Sequence, residues 1–370
     1  MIEVLGKWYR RYLSEEESVL LLALLAGALA VLMLLGDVLA PVFVAIVLAY
    51  LMQGVANQLQ VWGLPPWIGV WVSSLLFTGI FFAFMLGLMP LVWKQLASLV
   101  REVPDMVERG RVLFSELPME YTQFLSQNQI DRAMSSLQDE VAAFGQLVLT
   151  KGLTSIPSLI ALFVYMVLIP LMVFFFLKDR EKIVGWTLAF LPQKRPLLNR
   201  IWLEMNQQIA NYARGKVIEI MIIGGVSYLA FVLLGLNYAA LLGLVVGLSV
   251  IIPYIGATLV TIPVVAVAFF QWGVGPDFYW VVVAYMVIQV LDGNVLVPLL
   301  FSEAVNLHPL AIIVAVLFFG GVWGVWGVFF AIPLATLVNA IVGAWPTALE
   351  ASHESAHESK KVARHDEAAT

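Results

Sequence analysis

Long runs of Leu, Val, Ile, Ala, Gly, Phe and Trp alternate along this chain with short windows that hold all 20 of its Lys and Arg residues. Three of these cations precede residue 19, six lie from Lys94 to Lys151, eight from Lys178 to Lys216, and three follow Trp345. A cation at the centre of a bilayer costs about 2.5–3.5 kcal/mol on insertion scales, so their exclusion from the apolar runs marks a polytopic membrane protein. Ser18–Leu35, Val38–Met52 and Pro66–Trp93 read as three early spans. Gly36-Asp37 is expected to join the first two in a tight turn, making a helical hairpin. Pro66 suits the first turn of a helix, where its missing N–H has no partner to lose. Trp62, Trp67, Trp71 and Trp93 cluster near the ends of the third span, as interfacial aromatics do. The basic start followed by a long apolar run reads as an uncleaved first helix rather than a signal peptide.

The window from Lys94 to Gly152 differs in kind. Leu96, Leu99, Val100, Val103, Met106 and Val107 recur at three- and four-residue steps among charges, with Pro104 and Pro118 expected to break the pattern into short pieces. This predicts amphipathic helices in water or on the membrane surface, serving as a connector, a lid or an oligomer contact. Leu153–Leu177 is a fourth span. The basic stretch after it is cytoplasmic by the positive-inside rule. Counting back by parity then puts 94–152 on the outer, periplasmic side and the N-terminus inside.

After a fifth span, Ile218–Gly235, the pattern becomes two related apolar pairs. Tyr238–Ile252 and Ala257–Trp272 flank Pro253-Tyr254-Ile255-Gly256. Each arm has roughly fifteen residues, about 22 Å of helix against about 30 Å of hydrocarbon. The pair therefore either spans a thinned region or re-enters on the side it came from. Leu236-Asn237-Tyr238-Ala239 leads 26 residues on to Ile262-Pro263, and Leu307-His308-Pro309-Leu310 leads 25 residues on to Ile332-Pro333. Gly320, Gly321, Gly324 and Gly327 stand where the first pair has its Pro-Gly break. Phe278–Val290 crosses between the pairs, so they would enter from opposite faces as an inverted repeat. Such paired, interrupted segments are the best sequence pointer to a transporter's substrate site.

The fold class expected is thus an all-α polytopic membrane protein with two interrupted or re-entrant hairpins. Its domains would be residues 1–93, the amphipathic segment 94–152, a core over 153–345 with hairpins at about 237–272 and 307–343, and a disordered polar tail over 346–370.

Composition narrows the function. With 61% hydrophobic and 12% charged residues and a net charge of −5, nucleic acid is not an expected partner. Zero cysteines remove disulfides and thiol chemistry. His353-Glu354-Ser355-Ala356-His357 fits the zinc-peptidase pattern, but a polar tail offers no scaffold for it. No phosphate-binding loop suggests an ATP-driven pump. Neither enzyme activity nor a cofactor or metal is expected.

The candidate solute or ion pathway is the polar set Gln289, Asp292, Asn294, Glu303, Asn306 and His308, since ionisable groups at membrane depth are functional by default. Asp292-Gly293-Asn294 is either a helix break exposing carbonyls or an ordinary turn. Lys216 and Glu219 read as an intrahelical ion pair, with a proton relay as the alternative.

Several motifs carry a resemblance over nearly the whole chain. They are PLMVFFFLKDREK at Pro170–Lys182, EMNQQIANYARGKVIE at Glu204–Glu219, VIIPYIGATLVTIPVV at Val250–Val265, LDGNVLVPLLFSEAVNLHPL at Leu291–Leu310 and FFGGVWGVWGVFFAIPLATL at Phe318–Leu337. In these the chain resembles the autoinducer-2 exporter family, and within it the PerM-type permeases. The resemblance implies a bacterial inner-membrane permease with about eight membrane segments, assembled as a homo-oligomer. Export of the autoinducer-2 signal, and sodium–proton exchange in other branches, are the activities linked to the family. It also implies roles for Asp292, Gly293, Asn294, Pro298, His308, Pro309, Pro253 and Gly256, in touching solute or in shaping the hairpins.

Three functional classes remain open from the sequence. The first is a secondary transporter or exporter of a small polar solute, with protons or sodium ions as coupling ions and both termini cytoplasmic. The second is a passive channel within an oligomer, and the third is a non-transporting membrane scaffold.

Overall fold

A computed structural model of the chain describes residues 16–115, 135–136, 143, 156–189, 196–253, 255–301 and 307–344. All regular structure among them is helical. In order, the helices are α1 (Glu16–Val61), α2 (Pro66–Ala83), α3 (Met89–Ser115), α4 (Ile156–Lys178), α5 (Arg180–Ala189), α6 (Pro196–Leu233), α7 (Ala239–Ser249) and α8 (Ile255–Trp272). Then come α9 (Pro276–Leu291), α10 (Val297–Phe301), α11 (Pro309–Phe329) and α12 (Ala331–Ala344). Two five-residue π-turns, Phe84–Leu88 and Asp292–Leu296, splice α2 to α3 and α9 to α10. Six described segments are long and apolar enough to cross a bilayer: Val38–Val61, Pro66–Met106, Met205–Leu233, Ile255–Trp272, Pro276–Phe301 and Pro309–Phe329. The protein is an all-α polytopic membrane protein.

The chain forms two compact units. One draws on residues 41–180 and 212–304, the other on 1–40, 181–211 and 305–370. In the first, Ala45, Ala49 and Met52 of α1, Phe77 of α2 and Val173 and Leu177 of α4 make one apolar cluster. A larger cluster joins Val92 and Met106 of α3 to Ile223 and Phe231 of α6, to Leu242 and Val246 of α7, to Val264 and Val267 of α8, and to Val281 and Tyr285 of α9.

Three sequence expectations need correction. The first concerns Gly36-Asp37, which makes no turn. It lies inside the 46-residue α1, as does Pro41. Glycine serves close approach there instead: Gly36 is buried, and a Cβ would collide with the indole of Trp323 in the same unit. The first two expected spans are one element, so the parity count loses a crossing and no longer fixes the side of the N-terminus.

The second correction concerns Lys94, which marks a change of polarity and not a break. The helix runs on to Ser115 through Pro104, which is exposed, so the carbonyl left unpaired by its missing N–H reaches solvent. Pro118 and most of the remaining 94–152 segment lie outside the described residues. The third concerns Asp292-Gly293-Asn294, which forms neither a break nor a loop turn. The helix continues through it as a π-turn in which the Val297 N–H donates to the Asp292 carbonyl, five residues back.

Both apolar pairs are helical hairpins. In hairpin 1, α7 and α8 double back after the turn at residues 250–253. Gly256 opens the returning arm, and a Cβ on it would overlap the Ser249 carbonyl. The arms have 11 and 18 residues rather than fifteen each. In hairpin 2 the reversal falls inside α11, where Trp323 (φ −134°, ψ 15°) and Gly324 (φ 60°, ψ −138°) leave the helical region. A Cβ on Gly327 would overlap the Phe319 carbonyl, and one on Gly320 would sit 2.9 Å from Val328 Cγ2. Residues eight apart touch only where the chain has folded back. Trp323 then stacks on Phe330 with ring centroids 5.8 Å apart and planes 14° from parallel.

These contacts make a prediction. Gly256→Ala and Gly327→Ala should each cost roughly 1–3 kcal/mol as backbone is forced apart, read as a lowered thermal midpoint in detergent. Gly321→Ala should be near neutral, because a Cβ there meets nothing within 4 Å. Equal stability of all three variants would refute the close-approach account.

Candidate functional site

Helix α6 enters the membrane-like region with charge still on it. Lys216 and Glu219 stand one helical turn apart, Lys216 Nζ lying 2.6 Å from Glu219 Oε2. Both are buried, at 4% and 2% exposure. An exposed pair at this spacing contributes a few tenths of a kcal/mol. Buried ions each cost several kcal/mol of lost hydration, so this pair needs further partners.

Lys216 finds one across the unit. Its Nζ donates to the Val250 carbonyl over 3.0 Å, at the C-terminal end of α7. The ammonium therefore caps the α7 carbonyls where the helix dipole favours a cation, and does so at the apex of hairpin 1. The same Nζ lies 5.0 Å from the centroid of the Phe301 ring. That ring is admitted by Gly215, where a Cβ would stand 2.8 Å from Phe301 Cε1, and it lies 5.8 Å from the Tyr212 ring. One lysine thus ties α6, the hairpin apex and α10 together.

The third charge is Asp292, the first residue of the second π-turn. It is 8% exposed, and its Oδ1 is buried without a hydrogen-bond partner among the described residues. Asp292 interacts electrostatically with both Lys216 and Glu219. The π-turn inserts an extra residue into the helix and so changes the direction in which Asp292 points relative to the α9 residues before it. One ammonium is thus paired with Glu219 while a second buried carboxylate lies within its electrostatic reach, its Oδ1 without a donor among the described residues.

A neutral polar node lies one step along hairpin 1. Tyr285 of α9 is fully buried and its hydroxyl donates to the Ala257 carbonyl over 3.0 Å. Thr261 Oγ1 lies 3.2 Å from the same hydroxyl and 2.8 Å from the Ala257 carbonyl. Gln289 stands beside Tyr285, one turn further along α9.

Of the residues singled out from the sequence, then, Asp292 and Gln289 face this region. Asn294 does not: it is exposed and its side-chain amide donates to the Val290 carbonyl of its own helix, 2.9 Å away. Glu303 and Asn306 fall outside the described residues. His308 is exposed in the other unit and caps α11, its Nδ1 accepting from the Leu310 N–H over 3.2 Å. Pro309 follows as the first helical residue, while Pro298 and Gly293 are exposed on α10 and the π-turn. No group of three or more His, Asp or Glu residues suits a metal ion among the described residues. The His353–His357 motif is outside them.

Sequence reasoning recognised the Lys216–Glu219 pair but placed it outside the site. The signal that could have promoted it is position: Glu219 already lies inside the apolar run that begins at Ile218, with Lys216 one turn before it.

Residues 20–347 match the AI-2E family of transporters. The chain belongs to the AI-2E transporter family. It is 45% identical over 346 residues to a protein named "Putative permease PerM" from Escherichia coli K12, covering 94% of this chain and 98% of that one. It is 27% identical over 310 residues to "Putative transport protein YueF" of Bacillus subtilis strain 168, covering 81% and 82% of the two chains. As an AI-2E family member it is a multi-pass membrane transporter.

Proposed function

We propose that this AI-2E family permease is a secondary transporter or exporter of a small polar solute, with Asp292, Glu219 and Lys216 as its solute- or ion-contact groups. A solute of the autoinducer-2 type, a hydroxylated small molecule, suits a site of carboxylates, an ammonium and the Tyr285–Thr261–Gln289 hydroxyl and amide groups. The observation that carries the reading is the orphan Oδ1 of Asp292. A buried carboxylate oxygen without a donor is costly unless something arrives to satisfy it. A hydrophobic replacement of the three charges would hold the helices together at no such cost, so stability alone does not account for them.

Coupling to protons or sodium ions follows the same logic, since two carboxylates against one ammonium leave room for a further positive charge. The two hairpins are the elements we assign to movement. In each, a glycine after the reversal abuts a carbonyl before it, Gly256 with Ser249 and Gly327 with Phe319. This parallel supports reading the two hairpins as a repeat. The basic residues from Lys178 to Lys216 favour a cytoplasmic side for that stretch. Assembly as a homo-oligomer belongs to the same proposal.

The test is flux in proteoliposomes, across a panel of small polar solutes, with and without imposed proton and sodium gradients. Gradient-dependent uptake of at least one solute is expected. Flux indifferent to every gradient would replace the transporter with a channel. Absence of flux for the whole panel, with reconstituted and folded protein, would favour the scaffold reading.

A further inference from the structure

We propose that α3 is a hinged strap across the base of hairpin 1, latched by Gln95 and Glu102 and free to swing at the π-turn Phe84–Leu88. The base of the hairpin is the end remote from the Lys216-capped apex. It begins in a strained conformation: Tyr238 holds a left-handed backbone (φ 59°) and gives α7 no side-chain cap. A non-glycine residue in that region persists only where its surroundings enforce it.

The enforcement comes from two sources. Within the hairpin, Gln271 at the end of α8 accepts from the Asn237 N–H and donates to the Gly235 carbonyl, both over 2.8 Å. From outside, Gln95 Oε1 of α3 accepts from the Leu241 N–H over 2.8 Å. That N–H is one of the orphan donors of the first turn of α7, so α7 is capped by another helix. Two turns further along α3, Glu102 interacts with the Tyr238 hydroxyl. Below these contacts Val92, Leu96, Leu99 and Met106 join the apolar cluster that includes Leu236, Leu241 and Leu242. The amphipathic stripe read from the sequence is therefore the inner face of a strap over the hairpin.

The hinge lies at the strap's root. None of the five residues of the Phe84–Leu88 turn is buried, and a Cβ on Gly87 would meet nothing within 4 Å. Its C-terminal N–H, from Met89, reaches back five residues to the Phe84 carbonyl. A π-turn between a membrane helix and an amphipathic arm is a place where a helix bends, with Leu88 its contact to the apolar cluster. The strap would have to lift before the hairpin base could slide, making α3 the gate for movement of hairpin 1. The inference rests on hairpin 1 being a moving element, and its test needs no solute, so its failure is distinct from failure of the transport assay.

The experiment uses the full chain in liposomes. Because the natural sequence has no cysteine, Ile252→Cys supplies a single reporter at the hairpin apex, read by its rate of labelling with a water-soluble maleimide. Hydrogen exchange reads the Leu241 amide. In the reporter background, Gln95→Leu with Glu102→Ala should speed Leu241 exchange at least tenfold and apex labelling at least fivefold. Gln95→Glu, which keeps an acceptor, should match the parent in both. Gly87→Ala stiffens the hinge without a clash and should slow apex labelling about threefold, which keeps the proposal testable if the double variant does not fold. Unchanged Leu241 exchange in the double variant would remove the latch. Faster exchange with unchanged apex labelling, or Gly87→Ala labelling at the parent rate, would reduce α3 to a static cap.

Discussion

Asp292→Asn should lower gradient-driven solute flux at least tenfold in proteoliposomes while leaving folding and assembly intact. The substitution keeps size and hydrogen-bonding capacity but removes the second negative charge from a buried cluster of one ammonium and two carboxylates. Asp292 is the member best suited to engage a solute or coupling ion. Glu219 already lies 2.6 Å from the Lys216 ammonium, whereas Asp292 Oδ1 has no donor among the described residues. Removing an unsatisfied buried charge should leave stability unchanged or raise it, so a loss of flux cannot be ascribed to unfolding. Asp292→Asn with parent-level flux would take Asp292 out of the mechanism and leave the charge cluster a structural feature.

Lys216→Met is expected to be the most destabilising single change in the unit, costing about 3–5 kcal/mol. The methionine fills the space of the aliphatic stem but leaves the buried Glu219 carboxylate without its cation. It also leaves the Val250 carbonyl at the apex of hairpin 1 without its donor. The diagnostic is the double variant. Adding Glu219→Gln to Lys216→Met removes the buried charge that the first change stranded, and should recover more than half of the lost stability. Thermal unfolding in detergent across the four proteins of this cycle measures the coupling. A single variant as stable as the parent would mean that the pair is effectively solvated. A double variant no better than the single would place the lysine's contribution in its cap on Val250 instead.

The two variants separate roles that a charge cluster otherwise blurs. Asp292 is expected to matter for flux and little for stability; Lys216 holds the apex, so its loss should be read first in stability.

Much of this architecture is legible in the sequence because the bilayer imposes simple rules. Charges avoid hydrocarbon, so the apolar runs around Pro66, Ile218, Phe278 and Pro309 are visible from composition alone. The hairpin reversals were legible for a related reason: Pro253, Gly256 and Gly324 are residues that interrupt helices, and they fall midway along runs too long for one arm. The amphipathic stripe after Lys94 announced a helix in water or on the membrane surface; that its apolar side packs on hairpin 1 was not legible.

The same local reasoning failed at Gly36-Asp37, Pro104 and Asp292-Gly293-Asn294. Each reads as a breaker or a turn, yet each lies within a helix. Helix propensities amount to about 1 kcal/mol for glycine, and a tertiary contact outweighs that. At Gly36 the Trp323 indole occupies the space of the missing side chain; at Pro104 exposure lets solvent take the unpaired carbonyl. At Asp292 the helix absorbs the irregularity as a π-turn and points a carboxylate inward.

By itself, then, the sequence determined that this is a helical membrane protein with two interrupted apolar pairs and an acidic group between them. The exclusion of charge from lipid and the demand that every backbone group be paired act residue by residue along the chain. Only the tertiary structure decided that Lys216 and Glu219, 73 or more residues before Asp292 in the chain, share a buried site with it, and that Gln95 caps a helix begun 144 residues later. Those pairings depend on which faces of separate helices meet. That is settled by close approach at glycines and by the cost of leaving buried polar groups alone, quantities that periodicity along a single helix does not contain.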